Sequence, residues 1–221
     1  MSPILLAIDT ATGWSGIALY DGNLLGELNW RAGRQHTEQL LPMIERMLDL
    51  AGIERESLQA VGVARGPGSY TGVRVGITVA RVLAFALGIP SVGVDALDVT
   101  AYAHRDHGLP VRAFLDAGRR RYATALYLPT RAGLERTGTL QSVSEDQMDG
   151  LITSATVCCG ELSDAALEAL AASAGEAAVF PTPATTVRRS AVLAEIAWRQ
   201  WQTGGSEEFD TTPIYITQNQ A

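Results

Sequence analysis

Apolar periodicity runs through this 221-residue chain in one order and then repeats it: strand, strand, strand, helix, strand, helix. The continuous apolar run 4–8 reads as a central strand, 14–20 and 24–30 alternate as its neighbours, and DGN between them is a hairpin turn. A helix is expected over 37–51, because Leu40, Leu41, Ile44, Met47, Leu48 and Ala51 fall on one face. Thr37 is its expected N-cap, Gly52 its stop, and Pro42 a kink or tight first turn. A strand over 60–64, a helix over 72–87, a strand over 91–94 and a helix from about 96 complete the first copy. The second copy has strands over 111–116, 121–128 and 134–140, a helix over 144–150, a strand ending at Cys158 and Cys159, and a helix over 161–173. A last helix is expected over 186–202. The join lies in 104–110, so the expected division is 1–104 and 105–221.

A duplicated βββαβα unit is the architecture of the α/β actin-like ATPase and sugar kinase folds, the two-lobed ribonuclease H-like (ASKHA) class. The copies share almost no sequence, so the duplication is one of topology. Length and an apolar fraction of 47% suit two small lobes with real cores. A net charge of -7 argues against a free-standing nucleic-acid binder, which needs a basic surface. All 17 cationic residues are arginine, which excludes a phosphate-gripping lysine, a Schiff base and a lysine general base. The adjacent pair Cys158 and Cys159 reads as buried, reduced thiols at a strand end, neither a disulfide nor a zinc site. The N-terminus lacks a basic region before a long apolar run, and VARVLAFALGI is too short for a span and contains Arg81. A soluble, cytoplasmic protein that avoids the membrane is expected.

The stretch GVARGPGSYTGVRVG, residues 62–76, imitates a phosphate loop. A P-loop needs a Gly-Lys pair before a hydroxyl residue, and there is no lysine. A dinucleotide loop needs a third glycine where Thr71 stands, and Gly72 arrives one residue late. The glycines therefore read first as a tight strand-to-helix turn. Beyond them Gly72, Gly76, Ala80 and Ala84 recur every four residues as one smooth ridge. Each mid-helix glycine costs about 1 kcal/mol against alanine, and close packing is the usual offset. Spacing alone does not choose between this protein's own sheet and a partner helix as the body that packs there.

ILLAIDTAT at the start, HTEQLLPMI at 36–44, GPGSYTGVRVG at 66–76 and PIYI at 213–216 resemble the TsaB (YeaZ) family, in order and over most of the first lobe. LDAGRRRYATALY in the second lobe is similar to a family segment closer to DARRGEVY. The resemblance implies a non-catalytic subunit that binds and activates the TsaD transferase. The product is N6-threonylcarbamoyladenosine in tRNAs reading codons that begin with A. TsaE joins the complex, tRNA is reached indirectly, and a homodimer forms when TsaD is absent. The expected interface is the helix pair, through Leu40, Met43, Ile44, Met47, Gly72, Val73, Gly76, Ile77, Ala80 and Ala84. Leu50 and Phe85 add to its apolar surplus, and a bulky residue at Gly76 is expected to block TsaD while leaving the chain folded.

Actin-like ATPases grip phosphate with one turn per lobe. Asp9, Thr10 and Thr12 are the residual first loop, and DAGRRR at 116–121, with one glycine, is a poor second. No cofactor is expected on the isolated chain, with room left for ATP in an assembled complex. His104 and His107, three apart, lack a third ligand, so no metal is expected, and His36 orients the turn before the first helix. No catalytic residue is assigned. Arg119, Arg120, Arg121, Arg188 and Arg189 are solvated charges or contacts for phosphate or acidic groups. The rival readings are an ATP-dependent phosphotransferase of the same fold, with Asp9 essential, and a metallopeptidase-like protein.

Overall fold

The computed structural model describes residues 2–33, 35–131, 133–204 and 209–216. It contains strands β1 (Ile4–Asp9), β2 (Trp14–Tyr20) and β3 (Leu24–Arg31), helix α1 (His36–Ala51), β4 (Leu58–Ala64), α2 (Tyr70–Leu87) and β5 (Ser91–Val94). There follow α3 (Ala96–Tyr102), β6 (Val111–Asp116), β7 (Arg121–Thr130), β8 (Gly133–Ser144), β9 (Thr156–Gly160), α4 (Asp164–Ala174) and β10 (Ala178–Val179). A single turn, α5 (Pro183–Thr186), precedes α6 (Ser190–Thr203). Two sheets result, ordered β3-β2-β1-β4-β5 and β10-β9-β6-β7-β8. In each, the first three strands form an antiparallel meander and the fourth pairs parallel with the first. This is the two-lobed actin-like architecture read from the sequence.

In the first unit every residue of β1 is buried, as a strand covered on both faces requires. Gly62 lies against Ala197 of α6, and its neighbour Val63 lies against α2 at Gly76. Consecutive strand residues point to opposite faces, so α6 covers one side and α2 the other. α1 shares the side of α2, where Met47 lies against Gly26. α1 buries His36, Leu40, Ile44, Met47 and Leu48 and ends on a left-handed Gly52, as its sequence pattern requires. It starts one residue before Thr37, after Gln35, and no side chain caps it. By length and mean hydropathy, 1.4, α2 passes as a membrane span. Its buried stripe is instead the face turned to the sheet, and Arg74 and Arg81 lie on its exposed side.

In the second unit one face of the sheet carries a core of Phe114, Tyr122, Val143, Met148, Ile152, Cys158, Ala166 and Leu170, closed by α4. Three features differ from expectation. Residues 144–150 form no α-helix, only a 3-10 turn, Glu145–Gln147, under a Ser144/Gln147 capping box. The segment ends in a left-handed Gly150, a position that stops a helix. The second copy therefore lacks the first helix of the βββαβα pattern. The division also moves: one compact unit is Met1–Ala96 with Arg189–Ile214, the other Leu97–Arg188 with the chain end from Tyr215. α3 belongs with the second sheet, where Tyr127 donates to Asp98 at 2.7 Å and Cys159 to the Thr100 carbonyl at 3.8 Å. α6 belongs with the first, where it buries Leu193, Ala194 and Ala197 and Ser190 Oγ donates to the Ile17 carbonyl at 2.9 Å. The sequence division at 104/105 followed chain order, and burial follows the apolar faces.

Candidate functional site

The Gly66–Gly72 loop meets the turn after β1. The Ala11 carbonyl accepts from the Ser69 amide at 2.6 Å, and Thr10 Oγ1 donates to the Gly72 carbonyl at 2.7 Å. A Cβ on Gly68 would strike the Ala11 carbonyl, and one on Gly72 the Thr10 carbonyl. Glycine is required at both because two backbones touch there. Ser69 caps α2 through the Gly72 amide at 3.3 Å. Asp9 Oδ1 accepts from the Ala11 amide at 2.9 Å, and Asp9, Thr10 and Thr12 are all buried. The residues assigned to a residual phosphate loop are thus buried, with Asp9 and Thr10 in internal hydrogen bonds. The hydroxyl of Thr10 already has its acceptor.

The ridge has the same fate. Gly76 faces Thr10 and Val63, and Ala80 and Ala84 are buried with it. Leu40, Ile44, Met47, Gly72, Val73, Gly76, Ile77, Ala80 and Ala84 were expected to face a partner. They are buried in the chain's own fold, and Met43 alone of that set is exposed. The correction has a steric cause: the small residues admit the chain's own close neighbours, the Thr10 carbonyl at Gly72 and the Thr10 and Val63 side chains at Gly76. A bulky residue at Gly76 therefore breaks the fold rather than a docking contact. The surface these helices present is built of other residues: Leu41, Met43 and Leu50 on α1, and Tyr70, Val82 and Phe85 on α2. Phe85 is 91% exposed.

Behind the loop lies a buried pair that sequence spacing gave no signal for. Ser15 Oγ and His36 Nδ1 share a hydrogen bond of 2.8 Å. Burial holds the His36 imidazole below its ordinary pKa, against the opposing pull of the Asp9 charge and hydrogen bonds with the backbone of Gly33 and Thr12. Serine, histidine and aspartate meet here, yet both Ser15 and His36 are buried. The group anchors the start of α1 to the β1–β2 turn, the role expected of His36.

Arg65, at the end of β4, donates from Nε to Asp95 at 2.8 Å and pairs with Asp210, while its carbonyl accepts from the Ile214 amide at 2.8 Å. Arg81 Nε reaches Thr211 Oγ1 at 2.7 Å. Residues 209–214 so strap the loop, and an open cavity of about 860 Å³ lies beside them, lined by Arg81, Phe85, Pro90 and Asp210 among others.

The second turn, at 116–121, has Gly118, Arg119 and Arg120 in the left-handed region. Arg120 pairs with Glu145, which also accepts from Ser163 Oγ at 2.9 Å. Arg120, then Ser163, holds the Glu145 carboxyl below its ordinary pKa. Arg121 bonds Ser142, Arg188 lies 3.4 Å from Glu161, and Arg189 binds Glu27 at 2.7 Å. Most of the arginines singled out are thus tied within their units. The rings of His104 and His107 stand 5.6 Å apart, and among the described residues no three metal-ligating side chains cluster. Burial pushes the Cys158 thiol up to about 12 and that of Cys159 further, so neither is an activated nucleophile.

The family described as "TsaD: tRNA N6-adenosine threonylcarbamoyltransferase" matches residues 30–151. The tRNA threonylcarbamoyladenosine biosynthesis protein TsaB of Escherichia coli (strain K12) is 38% identical over 115 residues, 51% of this chain and 50% of that protein. The TsaB of Bacillus subtilis (strain 168) is 33% identical over 144 residues, 65% of this chain and 60% of that protein. The chain spans about half to three-fifths of the length of the curated relatives it matches. YeaZ from Pseudomonas aeruginosa superposes with a TM-score of 0.80 at 26% identity, over 97% of this chain and 100% of that one.

Proposed function

This chain belongs to the TsaB (YeaZ) family, and from that premise we propose that it is a non-catalytic subunit in the biosynthesis of N6-threonylcarbamoyladenosine in tRNA. It binds a TsaD-type transferase and keeps it active. One observation carries the reading. The loop that looks like a ligand site is filled by this chain's own backbone, while the outer faces of α1 and α2 leave Leu50, Val82 and Phe85 in solvent. Apolar side chains exposed together on neighbouring helices favour a partner over a small ligand. In this reading a second copy takes the same surface when the transferase is absent. TsaE and ATP join only in the assembled complex, and the work is done in the cytoplasm.

Reconstitution tests the reading. Threonylcarbamoyl-AMP synthase, TsaD and TsaE are combined with tRNA, with and without this chain, and modified adenosine is scored. Modification is expected to fall to background without the chain. Full activity in its absence would end the proposal. Calorimetry with ATP and magnesium is expected to give no heat on the isolated chain, and micromolar binding would favour the phosphotransferase reading.

A further inference from the structure

Among the described residues Arg112 is a buried cation without an anion. It sits on β6, only 8% exposed. Its register partners are Leu126 on β7 and Cys158 on β9, so its stem is flanked by apolar and thiol side chains on the core face of the second sheet. Among the described residues its one hydrogen bond runs from Nη1 to Gln141 Oε1 on β8, at 3.0 Å. To reach β8 the guanidinium must cross β7, on the face that also carries Thr124, two residues from Leu126. Arg112 Nε and Thr124 Oγ1 are the two buried side-chain polar atoms without a hydrogen-bond partner among the described residues. Thr124 is fully buried. The surroundings lower the Arg112 pKa through burial, with Cys158 the other ionisable influence, and no described carboxylate pairs with it.

A buried guanidinium this poorly matched is costly, because charge leaves water without an opposite charge to meet it. A water molecule would serve the two orphaned atoms but not the charge. We propose that Arg112 and Thr124, with Gln141 alongside, form a site for a small monovalent anion, a halide or one-carbon carboxylate. It would accept from Arg112 Nε and Thr124 Oγ1 together. Gln141, whose Oε1 accepts from Arg112, is itself exposed. Beside it β8 is irregular: Thr124 pairs with Gln141 but Leu126 with Thr137, so three β8 residues stand opposite Ala125, with Gly138 left-handed. Such bulges redirect side chains and break the ladder locally.

The test uses the full chain with bromide and formate as probes. Crystals soaked in sodium bromide are expected to show an anomalous peak within hydrogen-bonding reach of Arg112 Nε and Thr124 Oγ1. In solution, formate or bromide at ten times its dissociation constant is expected to raise Tm by about 3 °C over the rise in Thr124→Val. Arg112→Met is expected to lose the anion-specific rise whatever its own baseline stability. Thr124→Val, nearly isosteric, keeps the test alive should Arg112→Met fail to fold. A water at the position with no bromide peak, or an equal anion response in wild type and Thr124→Val, overturns the proposal.

Discussion

In the first unit β4 runs into a glycine loop that settles on the Thr10 and Ala11 carbonyls. In the second β9 runs into Gly160, where a Cβ would strike the Phe114 carbonyl. The contacts correspond: Ser69 donates to Ala11 at 2.6 Å and Glu161 to Phe114 at 2.9 Å. In both sheets the chain leaving the fourth strand must pass close over the first, and only a residue without a side chain allows it. The units part at the helices. After β3 comes the 16-residue α1, and after β8 a three-residue turn. The first unit therefore sets two helices side by side whose outer faces expose apolar residues among charged ones. Duplicated topology preserves what sterics demands, and leaves the helices to local composition and to what each surface must meet.

Changes at the shared glycines should have the largest effect. Gly72→Val and Gly160→Val are each expected to cost about 3 kcal/mol or more in urea unfolding, since the Thr10 and Phe114 carbonyls resist the new Cβ. If Gly72→Val left stability unchanged, the backbone contact at Thr10 would be wrong. The outer faces should behave in the opposite way. Phe85→Asp is expected to weaken binding to a TsaD-type partner about tenfold or more, with stability within about 0.5 kcal/mol of wild type. Unchanged co-elution with that partner would remove the helix pair as the docking surface. Ser190→Ala tests why α6 belongs to the first sheet. Losing the bond to the Ile17 carbonyl should cost about 1 kcal/mol, read from the urea midpoint.

The smallest effect compares two buried histidines, His36 in the first unit and His104 in the second. Burial lowers both imidazoles from their ordinary pKa. The unfolded chain then binds protons first, so their stability contribution is complete above the unfolded value, about 6.5. It is lost as pH falls from there through the folded value. His36→Gln and His104→Gln should each flatten the decline in Tm below about pH 6.5. A wild-type Tm that rises on acidification through that range would contradict both assignments.

The strands were readable where burial is two-sided or alternating: β1, β2, β4 and β6 fall within a residue or two of their apolar patterns. The stop of α1 at Gly52 was readable because a left-handed position favours glycine. The ridge was visible, but not its receiver, since spacing every four residues describes a helix face and says nothing about what lies opposite. The assigned phosphate residues Asp9, Thr10 and Thr12 are buried in the fold, for a related reason. Their chemistry suits an anion, yet a loop more than fifty residues away takes the space and the hydroxyl. Ser15 with His36 gave no linear signal, because the pair meets only across a strand and a helix start.

By itself the sequence determined the strand meanders, the glycine turns, the absence of lysine chemistry and the apolar stripes of α1, α2 and α6. Those are properties of neighbours along the chain, governed by local sterics and by the periods of helix and strand. Tertiary structure alone decided that α6 returns to the first sheet and α3 joins the second. It alone turned the glycine ridge inward and, among the described residues, left Arg112 Nε without a hydrogen-bond partner. An apolar face specifies that it will be buried, and the three-dimensional competition among all such faces decides against what.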